Sequence, residues 1–272
     1  MKRLKLMLIF LSICSLYSCS PQFYIPHGTV SPELSKKGDV YLEGKLNSAD
    51  ALFDNSQMTS VVGAVGYGIT DQLGSYVKGS LGKNESSGTY NNLFGGSTTE
   101  KIDDQINDVE IGIGYFDTFG ANGVFDFYLV NALGDTNSDS KRKGVHPRIF
   151  GDGTYTTNGS QNIQTNYHYI GLQSKFGVQF KKLGLSLNNR VGSLNYYNIK
   201  NTSIGNESHD LNNKERDGFV FGQDVKLSYG QDYKIFLQGG YFVTQEDRLA
   251  QDKTFASFGV SCNFNALKKN RI

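Results

Sequence analysis

The sequence predicts an all-β chain folded as a single ten-stranded antiparallel up-and-down transmembrane β-barrel with short periplasmic turns and long extracellular loops. Three observations predict it. Ten segments alternate apolar residues with small or polar ones at a period of two. The connections between them alternate short and long. The 272 residues include 32 glycines at a mean hydropathy of −0.39. Barrel strands are half polar by construction, so such a value does not argue against lipid. Glycine suits a crowded lumen and sharply bent strands.

The first residues read as a targeting signal. Lys2, Arg3 and Lys5 form a charged start, and Leu6–Ile13 is an apolar run too short to span a bilayer. Leu16-Tyr17-Ser18-Cys19 then resembles the lipobox of bacterial lipoproteins. That resemblance implies a signal peptide over residues 1–18 and a diacylglycerated Cys19 as the first mature residue. Ordinary signal-peptidase cleavage nearby is the alternative. With Cys14 removed and Cys19 acylated, Cys262 is the only thiol left, so no internal disulfide forms. Residues 19–37 read as a lipidated tether, because Pro21, Pro26 and Pro32 oppose regular structure. Tyr24-Ile25-Pro26, Pro32 and Lys37-Gly38 resemble the opening of outer-membrane lipoproteins of unassigned role.

The barrel is expected over residues 38–264, with a periplasmic tail over 265–272. Its expected lipid-facing sets begin with Val40, Leu42 and Leu46, then Val61, Val65, Tyr67 and Ile69. Leu73, Val77 and Leu81 follow, and then Val109, Ile111, Ile113 and Tyr115. Strand five offers Phe125, Phe127, Leu129 and Leu133; strand six offers Ile170, Leu172, Phe176, Val178 and Phe180. Strand seven offers Leu183, Leu185, Leu187 and Val191, with Asn189 out of place on the same face. Phe219, Phe221, Val225 and Leu227 precede Ile235, Leu237, Tyr241 and Val243. Thr254–Phe264 is last, with Ala256, Phe258, Val260, Cys262 and Phe264 on one face, and closes the barrel against the first strand.

Short turns fall at Thr70-Asp71-Gln72, Asp117–Gly123, Lys181-Lys182 and Gly230-Gln231-Asp232. Long polar loops are expected at Asn47–Gln57, Lys83–Asn107, Asp135–Asn166, Asn198–Asp217 and Thr244–Lys253. Ten strands put both ends of the barrel on the periplasmic side, where a lipid on Cys19 is also expected. Thr70-Asp71-Gln72-Leu73-Gly74 resembles the turn of small OmpA-like and opacity-like outer-membrane barrels. That resemblance implies a barrel of a Gram-negative-type outer membrane; with the lipobox resemblance, it implies a lipid-anchored one. A soluble lipocalin-like barrel is the competing fold, and it would need the apolar faces inward.

The polar faces carry the candidate site. Glu43, Lys45, Lys78, Glu110, Asp126, Lys175, Arg190, Asp224 and Lys226 are expected in the lumen, five positive charges against four negative. Buried charges persist only when paired, so a cross-lumen ion-pair network is expected to fill the barrel. A narrow porin-like channel is the alternative. A rim hydrolase built from His168, Ser208 and Asp210 is a third reading, although nothing in their spacing demands it. Asp135–Asp139 opens like a calcium loop, but Ser140 stands where glycine is needed and His146 where glutamate is needed. No metal, no cofactor and no catalytic residue is therefore expected. A net charge of +1 gives no case for nucleic acid. The expected partners are outer-membrane lipid and, through the loops, an outer-leaflet glycan or a protein.

Overall fold

The computed structural model describes residues 28–49, 57–91, 97–147, 154–204, 216–244 and 253–264. Ten strands form one closed antiparallel barrel: β1 Val40–Ala49, β2 Gln57–Gly68, β3 Leu73–Asn91, β4 Ser97–Phe119 and β5 Gly123–Pro147, then β6 Thr154–Phe180, β7 Leu183–Ile204, β8 Arg216–Gly230, β9 Tyr233–Thr244 and β10 Lys253–Asn263. Each strand pairs with its sequence neighbours, and β10 closes on β1 from Tyr41 opposite Asn263 to Ala49 opposite Phe255.

Period-two alternation decides which face is which. Outward positions expose Val61, Val65, Leu81, Ile111, Leu129, Leu185, Leu237 and Val260, while the residues between them point inward and are buried. An apolar exterior around a charged interior is the distribution of a barrel that crosses a bilayer, and the reverse of a lipocalin. Asn189 is accommodated on the lipid face: Gln223 donates to its Oδ1 at 2.9 Å, and Tyr241 donates to Gln223 at 3.4 Å. The three polar groups satisfy one another across β7, β8 and β9.

The long extracellular connections differ from expectation. Most of Lys83–Asn107 and Asp135–Asn166, and Asn198–Ile204, are strand: β4, β5, β6 and β7 run for 23, 25, 27 and 22 residues. The apolar phase flips where the strands leave the membrane. On β4, Val109, Ile111 and Ile113 face out, whereas Ile106 and Ile102 face in and are buried. Ile163 and Tyr167 of β6 and Ile199 of β7 join the same inner cluster. Water replaces lipid outside the membrane, so the apolar side chains turn inward. The continuous outward apolar face ends at that point. One bulge marks the change on β6–β7, between Gln164 and Asn166, where Asn198 takes a φ of 54°.

β1, β2, β9 and β10 span only 10 to 12 residues. The described wall is therefore tall over β3–β7 and low over β9, β10, β1 and β2.

The stretch expected as a tether differs as well, from residue 28 onward. Gly28–Leu34 runs inside the barrel as an extended strap; Thr29, Val30 and Ser31 are buried. The deep end of the strap suits that space because Gly28, Thr29, Val30 and Ser31 are small. Its backbone polar groups also find lumen side chains as partners, as any buried backbone must. A turn over Ser35–Asp39 then leads into β1. The Asp39 carboxylate accepts from Ser35 N, Ser35 Oγ and Lys36 N at 2.7–3.2 Å. Gly38 supplies a φ of 80°, and its N–H donates to Gly68 O at 2.8 Å. Cys19 and the rest of the expected tether lie outside the described residues, as does the tail over 265–272.

Candidate functional site: the lumen

All nine charges anticipated from the sequence are buried and face the lumen. They form separate clusters. Glu110 on β4 sits between Arg190 of β7, at 2.7 Å, and Lys78 of β3, at 2.8 Å. Tyr76 donates to its other oxygen at 2.7 Å. The Arg190 guanidinium also lies over the Tyr169 ring, 4.1 Å from its centre. Glu110 thus carries two cations and a phenol, all through charge-assisted contacts.

Glu43 on β1 is the second centre. Lys226 of β8 reaches it at 2.7 Å, Tyr41 donates to it at 2.5 Å, and Lys45 stands 3.5 Å away. Lys226 lies over the Phe236 ring at 3.8 Å. Asp126 of β5 faces Lys175 of β6 across the ladder at 3.8 Å. Asp224 is held by neutral donors: Asn188 at 2.5 Å, Gln238 at 2.7 Å, and Thr29 through its backbone N–H at 3.0 Å and its hydroxyl at 2.8 Å.

The strap completes these clusters. Ser31 donates to Asp126. Lys45 donates to the carbonyls of Gly28 and Thr29 at 3.4 and 3.3 Å. Gln173 donates to Val30 O at 2.5 Å, and Gln238 to Thr29 O at 3.0 Å. At the inner mouth Lys234 pairs with Glu33, whose carbonyl accepts from Asn263 at 2.8 Å. Leu34 fills the space between Tyr41 and Phe116. A cavity of about 160 Å³ remains beside the strap at this mouth, bordered by Glu33, Phe116, Asp126, Lys175, Gln179 and Lys234.

Sequence reasoning missed the strap, the lumen tyrosines and the buried carboxylates Asp104 and Asp108. The tyrosines were legible as inward positions two residues from a charge: Tyr41 beside Glu43, Tyr76 beside Lys78, Tyr128 beside Asp126. Asp104 and Asp108 fell in a stretch read as loop.

No protein-family model and no curated protein matches the chain. Solved structures that resemble it include the KdgM porin in complex with disordered oligogalacturonate, at 10% identity and a TM-score of 0.34, covering 82% of this chain and 99% of that one. The translocator domain of autotransporter NalP from Neisseria meningitidis is similar at 12% identity and a TM-score of 0.33, with 85% and 90% covered. The N-terminal β-barrel domain of Pseudomonas aeruginosa OprF is similar at 16% identity and a TM-score of 0.26, with 84% and 99% covered. With identities and TM-scores this small, these likenesses carry no argument about what the chain does. The fold rests on its own strand pairing and its outward apolar belt.

The groups of the rim-hydrolase reading are not brought together among the described residues. His168 is on the outward face of β6, between the inward Tyr167 and Tyr169, and Ser208 and Asp210 lie outside the described residues. The outer wall presents polar side chains to water. There the hydrogen bond with Glu85 at 2.5 Å holds Lys83 above its ordinary range, and the same bond holds the Glu85 carboxyl below its own.

Proposed function

We propose that this protein is an outer-membrane barrel, anchored by an acyl group on Cys19, that does not conduct and acts through its extracellular wall. The observation that carries the reading is the filled lumen. Two carboxylates, Glu110 and Glu43, each bind one cation across the lumen, Arg190 and Lys226, and one beside them, Lys78 and Lys45, while the strap bonds to Asp224, Asp126 and Lys45. Narrow barrels are filled by side chains, whereas open water needs many more strands. Opposite charges bonded to one another do not make a path for an ion, which would have to break them.

A closed barrel leaves its exterior as the working surface. The tall wall over β3–β7 offers an outer face rich in Asn, Lys, Thr and Asp, suited to a glycan or protein partner by hydrogen bonding. The second reading is a narrow channel, favoured by the polarity of the lumen and the cavity at its inner mouth. Planar-bilayer recording separates the two. The purified wild-type barrel is expected to give no steady current, and a large, stable, ohmic current would overturn the closed-lumen reading.

A further inference from the structure

We infer that the chain is threaded through its own barrel, so that the residues before Gly28 leave by the extracellular mouth and Cys19 meets the outer leaflet. The direction of the strap is set by its partners. Its inner end is Glu33, beside Lys234 near the start of β9 and Asn263 at the end of β10, both at the periplasmic mouth. Ser31 reaches Asp126, three residues beyond the first residue of β5. Thr29 reaches Asp224, six residues before the inner end of β8, and Gln238, five residues along β9. A Cβ on Gly28 would stand 2.7 Å from Phe255, eight residues above the inner end of β10.

Eight residues on a strand tilted by roughly 40° rise about 20 Å, and the apolar band of such barrels is about 25 Å tall. Gly28, which also borders Gln238 and Lys45, each five residues from the inner end of its strand, therefore stands between mid-height and the outer end of the barrel. Returning to the periplasm from there would take a second pass through the same lumen. Glu43, Lys45, Lys226, Asp224 and the strap already fill it.

The place of exit fits an anchor. Gly28 lies against β10 and β1, on the low side of the described wall, where β1 ends at Ala49 and β10 begins at Lys253. Cys19 stands nine Cα steps before Gly28, with eight residues between them. Fully extended, those nine steps reach about 30 Å, enough to pass the described ends of β1 and β10 and return an acyl chain to the outer leaflet. The tall wall on the opposite side would block the same path. The lipid surface met by the mature N-terminus is then the outer one. Ten-strand parity alone had assigned it to the inner leaflet.

The topology part stands on the strap; the acyl anchor rests on the lipidation reading of Cys19. The test separates them. Gln22→Cys and Tyr24→Cys variants are treated on intact cells with a membrane-impermeant maleimide, against the labelling of the parent protein. Asn158→Cys, on the outer wall, defines the outer signal, and Lys182→Cys, in a periplasmic turn, defines the inner one. Labelling of both N-terminal variants like Asn158→Cys is the expected result. Labelling like Lys182→Cys, only after the outer membrane is opened, overturns the threading. A fatty-acid probe on the parent and on Cys19→Ser reads the anchor independently. An unacylated protein with an outward Gln22→Cys removes the anchor and leaves the threading; an acylated one with an inward Gln22→Cys does the reverse.

Discussion

At the scale of the residue, the lumen is held by a few carboxylates that each satisfy several partners, and their loss should be unequal. Removing Glu110 takes away the carboxylate bonded to both Lys78 and Arg190 and leaves Lys78 with Asp108 at 3.9 Å. Breaking a buried pair by removing one partner costs about 3–5 kcal/mol. Removing Arg190 leaves Glu110 with Lys78 and Tyr76, a smaller loss. Glu110→Ala should therefore lower the temperature at which the barrel unfolds in detergent more than Arg190→Ala does. Gel mobility of unheated and heated samples checks the order, and equal losses would argue against Glu110 as the hub. Gly28 is the second residue with a sharp expectation. Its φ of 67° and its approach to Phe255 leave no room for a side chain. Gly28→Val should expel the outer end of the strap while the barrel stays folded. Greater cleavage at the strap by added protease in detergent would report it.

At the scale of the element, the strap and the tall wall are separable additions to one barrel. The strap contributes hydrogen bonds to Asp224, Asp126 and Lys45 but no strand pairing. A variant lacking residues 29–35 should still form a barrel, less stable and with a small conductance that the parent lacks. Silence of both in planar bilayers would mean that the side chains alone seal the lumen. The wall depends on its inward apolar residues. Ile106→Asp puts an unpaired carboxylate among Ile163, Tyr167 and Ile199 and should open the wall without disturbing the strands below. Lys141 and Lys143 lie in paired strand, so trypsin should spare them in the parent and cut them in Ile106→Asp. Equal cleavage of both proteins would show that these strands do not protect their backbone.

At the scale of the molecule, an even number of strands puts all four tight turns on one side and the wall on the other. An epitope inserted between Phe150 and Gly151 should stain on intact cells. One added after Ile272 should stain only once the outer membrane is opened. Staining of the tail on intact cells would mean the opposite orientation. The two ends of the chain are then expected on opposite sides of the membrane: the tail inside, and the segment before Gly28 outside. In an ordinary even-stranded barrel both ends lie inside; the proposed threading of the strap would separate them.

What the sequence alone determined here is local. Alternation in Val61–Ile69 or Thr254–Phe264 needs no partner to be read, because side chains on a strand change face at every residue. Alternating connection lengths then set the strand count and the antiparallel order. The lumen charges were legible for the same reason, since each falls on the inward face of its own strand. Their partners were not. Glu110 meets Arg190 and Glu43 meets Lys226 across the barrel, at separations of 80 and 183 residues that no period encodes. The phase flip between Ile106 and Val109 was hidden as well, because it depends on where the bilayer stops. The strap is the clearest case. Thr29, Ser31 and Glu33 have the composition of an exposed linker, and only the closed lumen, with Asp224, Asp126 and Lys234 waiting inside, gives their polar groups a better place than water.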